Sequence, residues 1–138
     1  MASARLTHVL LFVSDVEKVA AFYEAAFGYR REASADAGFG FLRAAGGGAD
    51  LALHVLSAPH APVLASPPRW RSDTAMKLCF EVDDLAAARQ AVLDAGGQAR
   101  DPWSWDGSDF CELADVEGNP LQIIQRPPPR PQAVSAGT

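Results

Sequence analysis

Cysteine is nearly absent, with only Cys79 and Cys111 among 138 residues. Two cysteines make no disulfide framework, and both stand in apolar, strand-like text where a free thiol acts as a small buried hydrophobe. Unpaired thiols fit a reducing compartment. Basic residues are outnumbered, 12 against 17 acidic, for a formal net charge of −5. That excludes the broad basic footprint of a nucleic-acid binder. The one local basic cluster is Arg69 and Arg71 on either side of Trp70. Long apolar runs are missing as well. Val9 to Val13 is too short to cross a bilayer, and MASARLTHVLLFV lacks the apolar core and cleavage site of a signal peptide. A cytoplasmic location with no membrane or nucleic-acid partner is expected. There is no GxSxG elbow and no CxxC or HExxH pair. The glycines at 46–48 lead into a strand rather than a helix, so they are no phosphate loop.

What is present suits one globular domain. The hydrophobic share of 49% and charged share of 21% are ordinary, and a chain of this length buries a core without staples. Leu6 to Val13 reads as a buried strand, Ser14 and Asp15 as cap residues, and Val16 to Phe27 as a helix of apolar period stopped by Gly28. Strands are expected at Tyr29 to Ala33, Phe39 to Arg43 and Asp50 to Leu56. Residues 57–75 hold four prolines and read as a linker or long loop. A second strand–helix pair follows at Met76 to Val82 and Leu85 to Ala95. Residues 100–107 read as an irregular loop with Trp103 and Trp105. Strands at Phe110 to Ala114 and Leu121 to Gln125 flank a tight turn at Glu117 to Pro120. The tail at 127–138 has the composition of disorder.

The two halves repeat. HVLLFVSDV from His8 lies over KLCFEVDDL from Lys77, an offset of 69 that also carries Asp15 onto Asp84 and Gly28 onto Gly97. GGADLAL from Gly47 lies over EGNPLQI from Glu117 at an offset of 70. The chain therefore reads as two tandem βαβββ units, 5–56 and 76–126, in one domain over 1–126. The fold class is α+β. One unit leaves a face of its sheet open, and two units are expected to curve around a shared cleft that holds a small molecule.

THVLLFVSDVEKVAAFYEAAFGYR in the first unit, with KLCFEVDDLAAARQAVLDAGG and LADVEGNPLQIIQ in the second, resembles the vicinal oxygen chelate superfamily of glyoxalase I, bleomycin-resistance proteins and extradiol dioxygenases. The resemblance covers roughly residues 5–126 and implies the glyoxalase-like fold. Metal-dependent members bind a divalent ion with one ligand from the first and one from the last strand of each unit. The matching positions here are His8, Ala52, Lys77 and Gln122. Ala52 has no donor atom, a charged Lys77 has no lone pair, and Gln122 offers a neutral oxygen where a carboxylate is usual. The alternative ligand set is His8, His54 and Gln122, because His54 shares a strand face with Ala52.

No metal and no other cofactor is thus expected, with a divalent ion as the alternative. Candidate ligand-binding residues are His8, Phe39, Phe41, His54, Lys77, Trp103, Trp105, Phe110 and Gln122. Lys77 interrupts an apolar strand, and an inward lysine needs a partner such as Glu112 or a ligand carboxylate. The tryptophans offer flat walls for a planar ligand, or cover the core or a dimer interface. Phe39, Phe41 and Phe110 read first as core, although alternation lets Phe39 and Phe41 line the cleft. The leading expectation is a homodimeric, metal-free protein that sequesters a small aromatic or cationic molecule. The alternatives are a divalent-metal-dependent lyase, isomerase or dioxygenase using His8, and a dimeric sensor or accessory domain.

Overall fold

The computed structural model describes residues 2–56 and 68–129. Most of the expected linker, 57–67, and the tail at 130–138 lie outside the described residues. The first unit runs β1 (His8–Val13), α1 (Val16–Phe27), β2 (Arg30–Arg31), β3 (Phe39–Arg43) and β4 (Asp50–Val55). The second runs β5 (Leu78–Glu81), α2 (Leu85–Asp94), β6 (Gln98–Ala99), β7 (Trp103–Trp105), β8 (Ser108–Ala114) and β9 (Pro120–Gln125). Their sheets have orders β1-β4-β3-β2 and β5-β9-β8-β6, with β7 added on β8. In each unit the first strand lies at the sheet edge and pairs in parallel with the last strand, which pairs antiparallel with its other neighbour.

The repeat is reproduced in detail. Asp15 caps α1 at φ −138° and ψ 102°, its carboxylate accepting from the Lys18 amide. Asp84 caps α2 at φ −136° and ψ 103°, accepting from the Ala87 amide. Such caps satisfy amides that no helical carbonyl reaches. Gly28 ends α1 at φ 70°, a left-handed conformation that costs glycine nothing. The pairing of Val9 with Leu51 recurs as Leu78 with Leu121.

Alternation along the strands sends one face of each sheet to the helices. Val13, Leu42, Leu51 and Leu53 from the first unit, and Cys111, Leu113, Leu121 and Ile123 from the second, are buried with Val19, Phe22 and Tyr23 of α1. The units meet on this helical side: α1 packs on α2, and Phe27 stacks on Phe80 with ring centroids 4.0 Å apart.

Polar contacts fasten the same seam. Asp115, 1% exposed, accepts from the Tyr23 hydroxyl at 2.7 Å, the Glu117 and Asn119 amides at 2.9 and 3.0 Å, and the Asn119 side chain at 3.0 Å. Burial, with Asp115 alongside, raises the Tyr23 pKa well above 10.0 and keeps the phenol a donor. The turn so fixed aims the buried Glu117 carboxylate at the first unit, where it accepts from the Ser14 and Asp15 amides at 2.9 to 3.0 Å. A carboxylate just ahead of α1 is also favoured by the helix dipole. Gly118 has φ +83°, and a Cβ there would lie 1.9 Å from the Arg69 carbonyl oxygen. The close approach seats residues 69–71 on the turn, with the Arg71 amide donating to the Gly118 carbonyl at 2.8 Å.

The structure corrects three expectations. Trp103 and Trp105 are not in an irregular loop but on β7, hairpinned to β8 through Asp106 and Gly107 at positive φ. Cys79 is exposed, and only Cys111 is buried. Phe39, Phe41 and Phe110 are half-buried on the open sheet faces rather than in the core. The expected pair of mixed sheets is present, curved but not closed. Alternation fixes which residues share a face, but the direction that face takes depends on how the helices pack.

Two outcomes follow. Glu117→Ala removes the acceptor of two part-buried amides and opens a cavity, which should cost about 3 kcal/mol of stability by urea titration; a loss below about 1 kcal/mol would remove Glu117 from the seam. Asp50 has its pKa held below 3.8, first by the Ala44 amide and then by Arg43. A depressed folded pKa stabilises at higher pH, and the contribution fades as pH falls below 3.8 through the lower folded value. Asp50→Asn should therefore flatten the acid limb of the stability curve.

Candidate functional site

The strand faces turned away from the helices carry the candidate residues. Each face is built in rows by the strand register. On the first sheet Phe12, His54 and Phe39 form one row, and Leu10, Ala52 and Phe41 the next. Phe12 and Phe39 meet His54 edge-on, with centroids 6.1 and 6.4 Å away. His8 lies against Phe41 at 5.9 Å, and its Nδ1 is 3.0 Å from the Thr7 hydroxyl. Arg43 sits over Phe41 and is engaged by Glu32 and Asp50. The face is apolar and accessible: Leu10 is 44% exposed and Phe12 54%.

The matching rows of the second sheet have different chemistry. Phe41 and Glu112 are counterparts, since they pair with Ala52 and Gln122. The apolar row Leu10, Ala52, Phe41 thus becomes Cys79, Gln122, Glu112. The Gln122 amide donates to Glu112 at 2.8 Å, and Lys77 Nζ lies 2.7 Å from the other Glu112 oxygen. Lys77 thus faces the open side and holds the partner that such a lysine needs. The next row ends in Ile124, Phe110 and Trp103, with Trp103 stacked on Phe110 at 5.4 Å. Trp105 projects beyond them.

The register brings Phe39, Phe41, His8 and His54 onto one face and Lys77, Gln122, Phe110 and Trp103 onto the other. It does not bring His8 and His54 together. His8 pairs with Asp50 and His54 with Phe12, a separation of four positions or about 13 Å along the strands. One ion cannot hold ligands that far apart at about 2 Å each, and Gln122 lies on the other sheet. The four positions implied by the resemblance do not fit a divalent ion either. Ala52 is a methyl group, while Lys77 and Gln122 are both turned to Glu112. No group of three or more His, Cys, Asp or Glu able to hold a metal occurs among the described residues.

Two cavities adjoin these faces. A groove of about 300 Å³ runs between the β1 and β5 edges, bounded by Leu10, Phe12, Met76 and Lys77. A cavity of about 420 Å³ lies between residues 70–77 and the second sheet, lined by Trp70, Thr74, Lys77, Arg100 and Glu112. Arg100 stacks over Trp70, its guanidinium 4.4 Å from the ring centroid. The sequence reading did not include Arg100, Glu117 or Asp115 among its candidates. For Glu117 a signal existed, because the repeat sets it against Gly47.

Two mixed, curved but open sheets under paired helices define the glyoxalase fold. The glyoxalase-like domain family matches residues 8–124, and the chain belongs to that family, within the vicinal oxygen chelate superfamily. Solved structures agree on the fold. A glyoxalase/bleomycin resistance protein/dioxygenase family enzyme from Burkholderia phytofirmans PsJN superposes at TM-score 0.67 with 20% identity, covering 88% of this chain and 98% of that one. TnmS3, an antibiotic binding protein from Streptomyces sp. CB03234, gives 0.64 with 21% identity over 92% and 99%. The fosfomycin resistance protein FosX from Mesorhizobium loti gives 0.67 with 14% identity over 91% and 95%. No curated protein sequence matches the chain. No helix among the described residues is long and apolar enough to cross a membrane.

The Lys77–Glu112 pair is partly solvated, with side chains 39% and 19% exposed. A double-mutant cycle with Lys77→Met and Glu112→Gln should give a coupling of about 0.5–1 kcal/mol, the screened range. A value above about 2 kcal/mol would mean that the pair is dry and structural.

Proposed function

We propose that this protein binds a small, flat molecule without a metal ion, and that a second copy of the chain closes the site. The observation that carries this reading is the aromatic, solvent-facing row of Phe12, His54 and Phe39 beside exposed Leu10. A contiguous apolar face of this kind marks a ligand or partner surface. Among the described residues the open face of the first sheet stays exposed at Leu10 and Phe12, so a second wall there would be the face of another protomer. Metal independence is supported by the donor set, in which one histidine, one methyl group, one ion-paired lysine and one engaged amide replace a ligand shell. The antibiotic-binding relative TnmS3 shows that the fold is used for capture of small molecules.

The test combines metal analysis, sedimentation and fluorescence on the purified full chain. The expected protein is a dimer with substoichiometric Ni, Zn, Fe and Mn, whose tryptophan emission responds to an aromatic ligand. Phe12→Asp places a charge on the apolar face and should weaken both the dimer and the fluorescence response by at least tenfold. Stoichiometric metal, lost in His8→Ala together with an activity, would establish the divalent-metal enzyme instead.

A further inference from the structure

We infer that the cavity beside Lys77 and Arg100 is a subsite for the carboxylate of an aromatic acid, with Trp70 as the wall for its ring. The inference rests on the small-molecule-binding reading and adds the charge of the ligand.

The evidence is the balance of donors and acceptors around one space. Lys77, Arg100 and Glu112 all line the cavity of about 420 Å³, so two cations face one carboxylate. That carboxylate is already engaged on both oxygens, one by Lys77 and one by Gln122. An ammonium has three donors, and Lys77 uses one of them on Glu112. The Arg100 guanidinium has no acceptor among the described residues; it sits over the Trp70 ring. The backbone holds it there: the Arg100 amide donates to the Glu112 carbonyl at 3.0 Å, and its carbonyl accepts from Arg89 Nε at 3.0 Å. The space therefore has unused donors and an excess positive charge, beside a fixed indole plane.

A cation entering here would compete with Lys77 for a carboxylate whose oxygens are both taken. A neutral ring would gain the stacking surface and leave the donors unused. A carboxylate would accept from Arg100 and from the spare Lys77 protons in charge-assisted bonds while its ring packs against the part of Trp70 that Arg100 does not cover. The local lining thus opposes the net charge of −5, which by itself suits a cationic ligand. Net charge describes the whole surface, whereas binding answers to the few groups inside the site.

The test is calorimetric titration of the metal-free full chain with 2-naphthoate and with its neutral isostere 2-naphthamide. The carboxylate should bind at least tenfold tighter. Arg100 is exposed, so Arg100→Gln should fold, lower naphthoate affinity at least fivefold and leave naphthamide unchanged. Arg100→Lys should recover part of the loss. Equal binding of the two ligands, or an Arg100→Gln protein with undiminished preference, overturns the inference while small-molecule binding stands. Failure of both ligands to bind the metal-free dimer overturns both readings together.

Discussion

Glu117 leaves the second unit and ends against the backbone of the first, where its oxygens take the Ser14 and Asp15 amides ahead of α1. A buried carboxylate is tolerated only when such donors replace water. The rest of the arrangement depends on that constraint. The turn that presents Glu117 is fixed by Asp115, which also receives the Tyr23 hydroxyl from α1. One short segment therefore sets the distance and angle between the units. Because the seam lies on the helical side, both open sheet faces are left for ligand or partner.

The two repeats diverged within this common frame. Caps, register and core face are shared almost residue for residue, since backbone geometry and burial dictate them. The open faces are not bound by those demands. One carries phenylalanines and histidines, and the other carries a hydrogen-bonded row with an ion pair at its end. The seam is asymmetric too. Glu117 fills the approach to α1, but its counterpart Gly47 has no side chain to offer α2, and a cavity of about 400 Å³ lies beside Gly47 and Asp83.

Much of the fold was legible because its signals are local. Asp15 reads as a cap from its place before an apolar period, the repeat offset carries it onto Asp84, and the two take dihedral angles within 2° of each other. The 69-residue offset from His8 to Lys77 identifies two units without any contact between them. Trp103 and Trp105 were misjudged because a three-residue hairpin strand is stabilised by its partner β8 rather than by its own composition. Phe39 and Phe41 read first as core, with cleft lining as the alternative, because an aromatic strand residue gives no sign of which face will stay uncovered.

The sequence alone determined the repeat, the alternation, the caps and the loss of conventional metal ligands at Ala52 and Lys77. These follow from residue type and spacing, which need no knowledge of distant neighbours. Only the tertiary structure decided that Lys77 meets Glu112, that His8 and His54 stand apart, and that Arg100 and Trp70 share a cavity with Lys77. Those relations arise from strand register and from the packing of residues 69–71 on the Gly118 turn. Contacts between residues far apart in the chain are fixed by the whole fold, not by any stretch of it.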